Sequence, residues 1–427
     1  MKKNLNKKIN LVIFFSEKLE KRLGGPSTYL FNLLHSFEKN YPAISYNNFL
    51  ISNKNIQVKF IFKEGGKENN KKNNKYILET KKIIKNYKFF CYFYLLASNI
   101  RHYRTFNQYK NDIKNADIIH FHSVLDFKFL KKFVNKKTTK ILTVHSPGSI
   151  IEEIPPQDCK YLFLKEIAIL EKSAMEWIDG FIYPCKQSLE NHLKSFSFLK
   201  NIISQKIISF CPTGIEPLEV FKSRREIRKK YNIPQDSFLV SYIGRHIKVK
   251  GFDLLANAII KINKKIEKNK KIYLISAGKG ELIYLFKKNK QLFKYWRHIE
   301  WTDCPGDIIN ASDCFVLPNR SCFFDLALLE AMSVGVPIIV TRVGGSIFVS
   351  KKSKGIFLTD PKIENIEEEI LKLITLSREK RAEFGLINKK SFQDHFSQEK
   401  FSQKYVDAIL KIFEKKKKQD NKFFNFT

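Results

Sequence analysis

The sequence predicts an α/β protein of two doubly wound domains, each a mostly parallel sheet with helices on both faces. Three observations predict it. Short apolar runs alternate with segments of helical periodicity along both halves of the chain. A Pro/Gly-rich stretch, Cys211-Pro212-Thr213-Gly214-Ile215-Glu216-Pro217, lies between the halves and reads as a linker. At 427 residues the chain is too long for one ordinary domain.

In the first half, Ile9–Phe15 (INLVIFF) reads as a buried strand. The turn Gly24-Gly25-Pro26-Ser27 follows and opens a helix running to about Glu38, with Pro at its first position. Amide groups at such a helix start can hold an anion; a plain tight turn has the same composition. Lys63–Lys75 is a polar, low-complexity loop. Tyr76–Arg104 interleaves Lys81, Lys82, Lys85 and Lys88 with Tyr87, Phe89, Phe90, Tyr92, Phe93 and Tyr94. That pattern suits a membrane interface, a core helix with one solvated face, or single-stranded nucleic acid; no nucleic-acid motif accompanies it. Asp117–Phe121 and Lys140–Val144 read as further strands, followed directly by His122-Ser123 and His145-Ser146. A His placed just after a parallel strand lies at the carboxyl edge of the sheet, where α/β proteins bind ligands, and its imidazole can donate to a developing charge. A buried structural His is the plainer reading, and His120, inside its strand, is read as core. Phe181–Pro184 is a short strand before a helix from about Lys186.

The second half restarts the alternation with Phe238–Ile243. Gly244-Arg245, Lys248 and Lys250-Gly251-Phe252-Asp253 follow, before a helix from about Leu254. Two cations at a strand end can neutralise a diphosphate, Arg bidentately and Lys as a point charge. Lys271–Ala277 and His298–Trp301 read as strands, with Trp301 either near a ligand or in the core. Cys314–Leu317 is a buried strand stopped by Pro318. Phe324–Val334 has helical spacing, with Asp325 placed as its N-cap and Gly335 and Pro337 as its end. Glu330 is the one carboxylate inside that helix, among Leu328, Leu329, Ala331 and Met332, and is expected to have a partner. Pro337–Thr341 is the next strand, and Gly344-Gly345 opens the turn after it. Phe392–Phe413 reads as a last amphipathic helix. Lys415–Lys418 and the tail to Thr427 are expected to be disordered or to touch a membrane surface.

Hydrophobic residues make up 43% of the chain, enough for sizeable cores, and the net charge is +35. Such a charge points to an anionic partner: nucleic acid, a membrane surface or a phosphorylated substrate. The abundance of Lys, Asn, Ile and Phe is equally what an AT-rich genome imposes. Seven Cys, an odd number without C-x-x-C spacing, suit a reducing cytosol. Ile9–Phe15 is too short and too soon followed by charge for a signal peptide. No run reaches transmembrane length. No Asp-x-Asp pair is present, so no bound metal is indicated.

The pattern Pro318…Phe324-x-Leu326…Leu329-Glu330-Ala331-Met332…Gly335-x-Pro337-Ile338…Thr341-x-x-Gly344-Gly345 resembles the donor-nucleotide site of retaining family-4 glycosyltransferases, the glycosyl transferases group 1 of the GT-B fold. Gly244-Arg245 followed by Lys250-Gly251-Phe252-Asp253 resembles the same family. The resemblance implies two Rossmann-like domains facing across a cleft: 1–212 on the acceptor side and 213–391 for the nucleotide-sugar. Residues 392–427 would be a helix crossing back to the N-terminal domain, plus a basic tail. It implies donor binding by Gly24, Gly25, Arg245, Lys250, Phe324, Asp325, Leu326 and Glu330, with Glu330 on the ribose hydroxyls. It gives catalytic roles to His145, Arg245 and Lys250. A nucleotide-sugar is then the donor substrate, with no cofactor and no metal, and a glycan or glycolipid the acceptor, in bacterial surface polysaccharide or lipid-linked oligosaccharide synthesis. The location implied is cytoplasmic, peripheral on the inner face of the membrane, and nucleic acid is not an expected partner. No carboxylate pair for double displacement emerges, which agrees with the front-face route discussed for the family. Three positions depart from the family pattern. Cys322 stands where a Glu usually touches the donor sugar, Asp325 where a Gly is usual, and Phe348 near the place of another Glu. Two alternatives follow: a GT-B-fold scaffold or regulatory partner with impaired catalysis, for which Cys322 speaks, and a basic nucleic-acid binder, from charge alone.

Overall fold

The computed structural model describes residues 8–19, 25–63, 106–146, 164–195, 200–267, 270–288 and 294–424. Gly24, the loop expected at Lys63–Lys75 beyond its first residue, and the basic-aromatic segment Tyr76–Arg104 lie outside them. The chain forms two compact units. Unit 1 runs to Tyr183, resumes at Leu189–Cys211 and takes in the C-terminal residues from Ser402; unit 2 is Pro184–Ser188 with Pro212–Phe401.

Unit 1 contains β1 (Ile9–Phe15), β2 (Ala43–Ser45), β3 (Asn48–Ile51), β4 (Ile56–Phe62), β5 (Ile118–Phe121), β6 (Thr139–Thr143), β7 (Gly180–Tyr183) and β8 (Ile207–Phe210). They pair in the order β2-β3-β4-β1-β5-β6-β7-β8, antiparallel only across β2, β3 and β4. The last five residues of β1 are all buried, as both-face coverage of a parallel sheet requires. The hairpin of β2 and β3 was not expected: β2 is short and exposed, and Asn47 makes the turn with a positive φ of 56°.

Unit 2 contains β9 (Leu239–Ile243), β10 (Tyr273–Ala277), β11 (Trp296–Ile299), β12 (Cys314–Leu317), β13 (Ile338–Thr341) and β14 (Ile356–Thr359). All pairs are parallel, in the order β11-β10-β9-β12-β13-β14. Successive residues of β12 feed opposite cores: Cys314 and Val316 one, Phe315 and Leu317 the other. The strand expected at His298–Trp301 begins two residues earlier. Trp296 is the core tryptophan, donating from Nε1 to Ser276 Oγ at 2.8 Å, while Trp301 lies past the strand, 60% exposed.

The end of the chain corrects two expectations. The single helix expected over Phe392–Phe413 is two, Arg378–His395 and Gln398–Phe424. Between them the Ile215 N–H donates to Phe396 O (3.0 Å) and the Gln398 N–H to Ile215 O (2.9 Å), so a bridge to the linker replaces the helical ladder. Gly214 permits this approach, since an added Cβ would stand 2.6 Å from Ser397 O. Residues 392–401 therefore lie in unit 2, with Phe392 and Phe396 in its core. The tail expected to be disordered from Lys415 is helical to Phe424; Lys416 pairs with Asp420 one turn on (2.8 Å) and with Asp179 (3.6 Å). Among the described residues no helix is long and apolar enough to cross a membrane.

Candidate functional site

In unit 2 the strand order reverses between β9 and β12. Ligands of open parallel sheets bind outside the carboxyl ends of two such strands. The loop after β9 carries Arg245 and Lys250; the loop after β12 leads to Asp325. Gly251 joins them. Its φ is +68°, and an added Cβ would lie 1.8 Å from Pro318 O, so only glycine lets the two loops touch there. Arg320 stitches them further: its N–H donates to Val249 O (2.9 Å), and its guanidinium to Lys248 O (2.6 Å) and to both Asp253 carboxylate oxygens (2.6 and 2.7 Å).

Lys250 Nζ donates to Asp325 Oδ2 at 2.6 Å. The Asn319 amide donates to the same oxygen at 3.0 Å, and the Ala327 N–H to Asp325 Oδ1 at 3.3 Å, which makes Asp325 the N-cap of the helix Leu326–Val334. Burial pushes the Asp325 carboxyl up, but Lys250, Asn319 and Ala327 outweigh it and hold it below its usual value. Burial likewise pushes Lys250 down, and Asp325 more than reverses it. Both groups are charged at neutral pH. Asp325 therefore caps a helix and anchors Lys250 at once. Arg245 is exposed and makes no ion pair among the described residues; its carbonyl accepts from Tyr242 Oη at 2.6 Å, which fixes its backbone.

Phe324 and Leu326 are half-buried and pack on one of the unit 2 cores. Gly345 opens the helix Gly345–Ser350 against Phe324, whose ring would be 2.7 Å from an added Cβ. Glu330 lies one turn into the helix after Asp325 and is half-buried, less enclosed than its apolar neighbours suggested. Cys322 is buried, its Sγ donating to Val343 O (3.5 Å) and lying 3.6 Å from Ser346 Oγ. Burial raises its thiol pKa, so it stays uncharged. Sequence reasoning gave no role to Asn319, Arg320 or Asp253. Arg320 and Asp253 are separated by three strands in sequence, and no local pattern links them.

In unit 1 the carboxyl ends of β1, β5 and β6 border a cavity of about 380 Å³, lined by Gly25, His122, His145, Glu171 and His192 among others. Gly25 is the first residue of the helix Gly25–Asn40; an added Cβ there would meet nothing within 4 Å. His122 Nδ1 lies 2.9 Å from His145 Nε2. His120 is core, as expected, with its ring nitrogens 2.5 Å from Tyr405 Oη and 2.7 Å from Thr143 Oγ1. Burial pushes His145 down to about 3 and His192, bonded to Tyr183 Oη at 2.7 Å, down to about 4. His122 is lowered too, by burial first and then by its His120 and His145 neighbours. The sequence placed His122 and His145 at strand ends but not in contact.

Residues 223–391 match the family described as glycosyl transferases group 1. The O-antigen biosynthesis glycosyltransferase WclY of Escherichia coli is 27% identical over 315 residues, 71% of this chain and 82% of that protein. The UDP-Gal:alpha-D-GlcNAc-diphosphoundecaprenol alpha-1,3-galactosyltransferase of Escherichia coli is 27% identical over 223 residues, 49% of this chain and 56% of that one. Among solved structures, HepE of Anabaena in complex with UDP and glucose superposes with a TM-score of 0.61 at 12% identity, covering 94% of this chain and 99% of that chain. Sucrose-phosphate synthase from Thermosynechococcus elongatus gives 0.58 at 16% identity, covering 99% and 100%.

Proposed function

We propose that this chain, a glycosyltransferase of group 1 with the GT-B fold, moves a sugar with retention from a nucleoside diphosphate sugar to an acceptor hydroxyl during synthesis of a bacterial surface polysaccharide. The observation that carries the reading is the Arg245–Lys250–Asp325 constellation at the strand-order reversal of unit 2. An exposed Arg without an ion-pair partner among the described residues and an anchored, charged Lys suit a diphosphate that gains charge as it leaves. Glu330, on the helix that Asp325 caps, would accept from the two ribose hydroxyls. Neutralisation of the leaving group is assigned to Arg245 and Lys250, with no metal bridging it. The leaving phosphate, still held by them, would take the acceptor proton on the face it departs from, which preserves the anomeric configuration. One relative acts on a diphosphoundecaprenol-linked sugar, as its name states, and a polyprenyl diphosphate-linked saccharide is the acceptor class we assign.

The test is a transfer assay with UDP-sugars and a polyprenyl diphosphate-linked monosaccharide, the product anomer read by NMR. Arg245→Ala is expected to lower kcat about 10²–10³-fold, the usual effect of removing one preorganised charge contact. Chelators should leave the wild-type rate unchanged. An Arg245→Ala enzyme within a few-fold of wild type, or a product of inverted configuration, would overturn the reading.

A further inference from the structure

We infer that His122 is a positioning residue that fixes His145 with its ring proton on Nδ1, so that the unit 1 cavity is presented with a hydrogen-bond donor and not a base. The two rings meet edge to edge, His122 Nδ1 to His145 Nε2, at 2.9 Å. Both imidazoles are held neutral by burial, so one proton lies between them and each ring has one more nitrogen to account for. His122 Nε2 is buried and has no hydrogen-bond partner among the described residues. If His145 donated from Nε2, the proton of His122 would sit on its Nε2 as a buried N–H with nothing to accept it, the arrangement that folded proteins most consistently avoid. If His122 donates from Nδ1, its Nε2 is left as a bare lone pair packed among the rings of His120 and Tyr29. Only the second arrangement strands no donor. It places the proton of His145 on Nδ1, the nitrogen not turned toward His122.

The consequence is chemical. Both rings border the cavity, His145 half-buried and His122 only 4% exposed, so His145 is the more accessible of the two. A neutral imidazole with Nδ1–H offers a proton to a lone pair, so it would bind a hydroxyl, ring or glycosidic oxygen of a saccharide as donor. It would not withdraw the proton of an attacking hydroxyl. The role in transfer rests on the reading given above; the tautomer does not.

The experiment uses the full chain labelled with ¹⁵N-histidine. Long-range proton–nitrogen correlation at pH 7.5 should find Nδ1 protonated and Nε2 unprotonated in both His122 and His145, assigned by loss of each set in His122→Asn and His145→Gln. Kinetics supply the second arm. His122→Phe should lower kcat/KM about tenfold, the worth of one well-placed hydrogen bond. His122→Asn, whose side-chain amide can stand where Nδ1 stood, should keep most of the activity. A protonated Nε2 on His145, full activity in His122→Phe, or an Asn variant as impaired as the Phe variant would each overturn the inference. If the wild-type protein transfers no sugar, the functional reading falls while the nitrogen spectrum still decides the tautomer.

Discussion

Replacing Asp325 by Asn should move stability and ligand response in opposite directions. Asp325 is 12% exposed at its side chain and Lys250 24%, so the pair lies between surface and interior. Exposed pairs contribute about 0–1 kcal/mol, and breaking a buried pair by removing one partner costs about 3–5 kcal/mol. Asn keeps one acceptor oxygen for three donors, the Lys250 ammonium, the Asn319 amide and the Ala327 N–H. A loss of about 2–3 kcal/mol follows from those bounds. In a unit of this size each kcal/mol is about 2–4 °C, so the Tm of unit 2 should fall by about 5–10 °C. Without the carboxylate, Lys250 is a half-buried charge lacking its counter-ion. A bound nucleoside diphosphate would supply one, and the Tm gain on adding saturating UDP should be larger in Asp325→Asn than in wild type. Thermal unfolding at pH 7.5, with and without UDP, measures both quantities. A Tm change under about 2 °C, or a smaller UDP-induced gain in the variant, would refute the idea that Asp325 compensates the charge that the ligand later meets.

On the proposed ribose contact, Glu330→Gln should weaken binding of the preferred nucleoside diphosphate by calorimetry about tenfold, because a neutral amide accepts less strongly from hydroxyls; Glu281→Gln, past β10, should bind as wild type does. Cys322→Ala should retain transfer within a few-fold, since the thiol bonds only weakly to Val343 O and Ser346, and a loss above tenfold with Tm intact would contradict that. Stability of unit 1 should fall steeply with acid. His120, His122, His145 and His192 are kept neutral by burial, so their contribution is full above about pH 6.5 and erodes as pH falls toward their folded values. Asp126, pushed up to about 7 by burial, acts oppositely, staying protonated while the unfolded chain has ionised. Three protons net remain, at about 1.4 kcal/mol each per pH unit. Equal unfolding free energies at pH 7 and pH 5 would show that these rings are solvated.

Much of the fold was legible because parallel strands covered on both faces are continuous apolar runs, and their ends are marked by Gly, Pro or His. Cys314–Leu317 and Ile9–Phe15 were found residue for residue on that signal. The positions of Arg245, Lys250 and His145 followed from strand ends in the same way. Their partners did not. Lys250 reaches Asp325, and His122 reaches His145, only because β9 neighbours β12 and β5 neighbours β6 in the sheets. Strand order is a non-local property that periodicity does not carry. The sequence offers Asp325 as a cap or as a ligand contact, whereas the carboxylate has two oxygens and uses one for the cap and the other for Lys250. The break between the last two helices was invisible for the same reason, being set by Ile215, far upstream. Trp301 was misplaced because HIEW and WRHI have equal apolar content, and only the pairing with β10 chooses between them.

The return of the terminal helix to unit 1 has a consequence for biosynthesis. Tyr405 is fully buried there against His120, Ser402 is bonded to Ser36, and Ile412 fills the space that Gly180 leaves open. Those residues leave the ribosome only after all of unit 2. Domains emerging N-terminus first ordinarily close before the next is made, yet the sheet that starts at Ile9 must wait, partly uncovered, until unit 2 has been translated. A nascent chain stalled after Phe401 would hold a finished second domain behind an unfinished first one, and it is that first domain which chaperones and proteases would recognise.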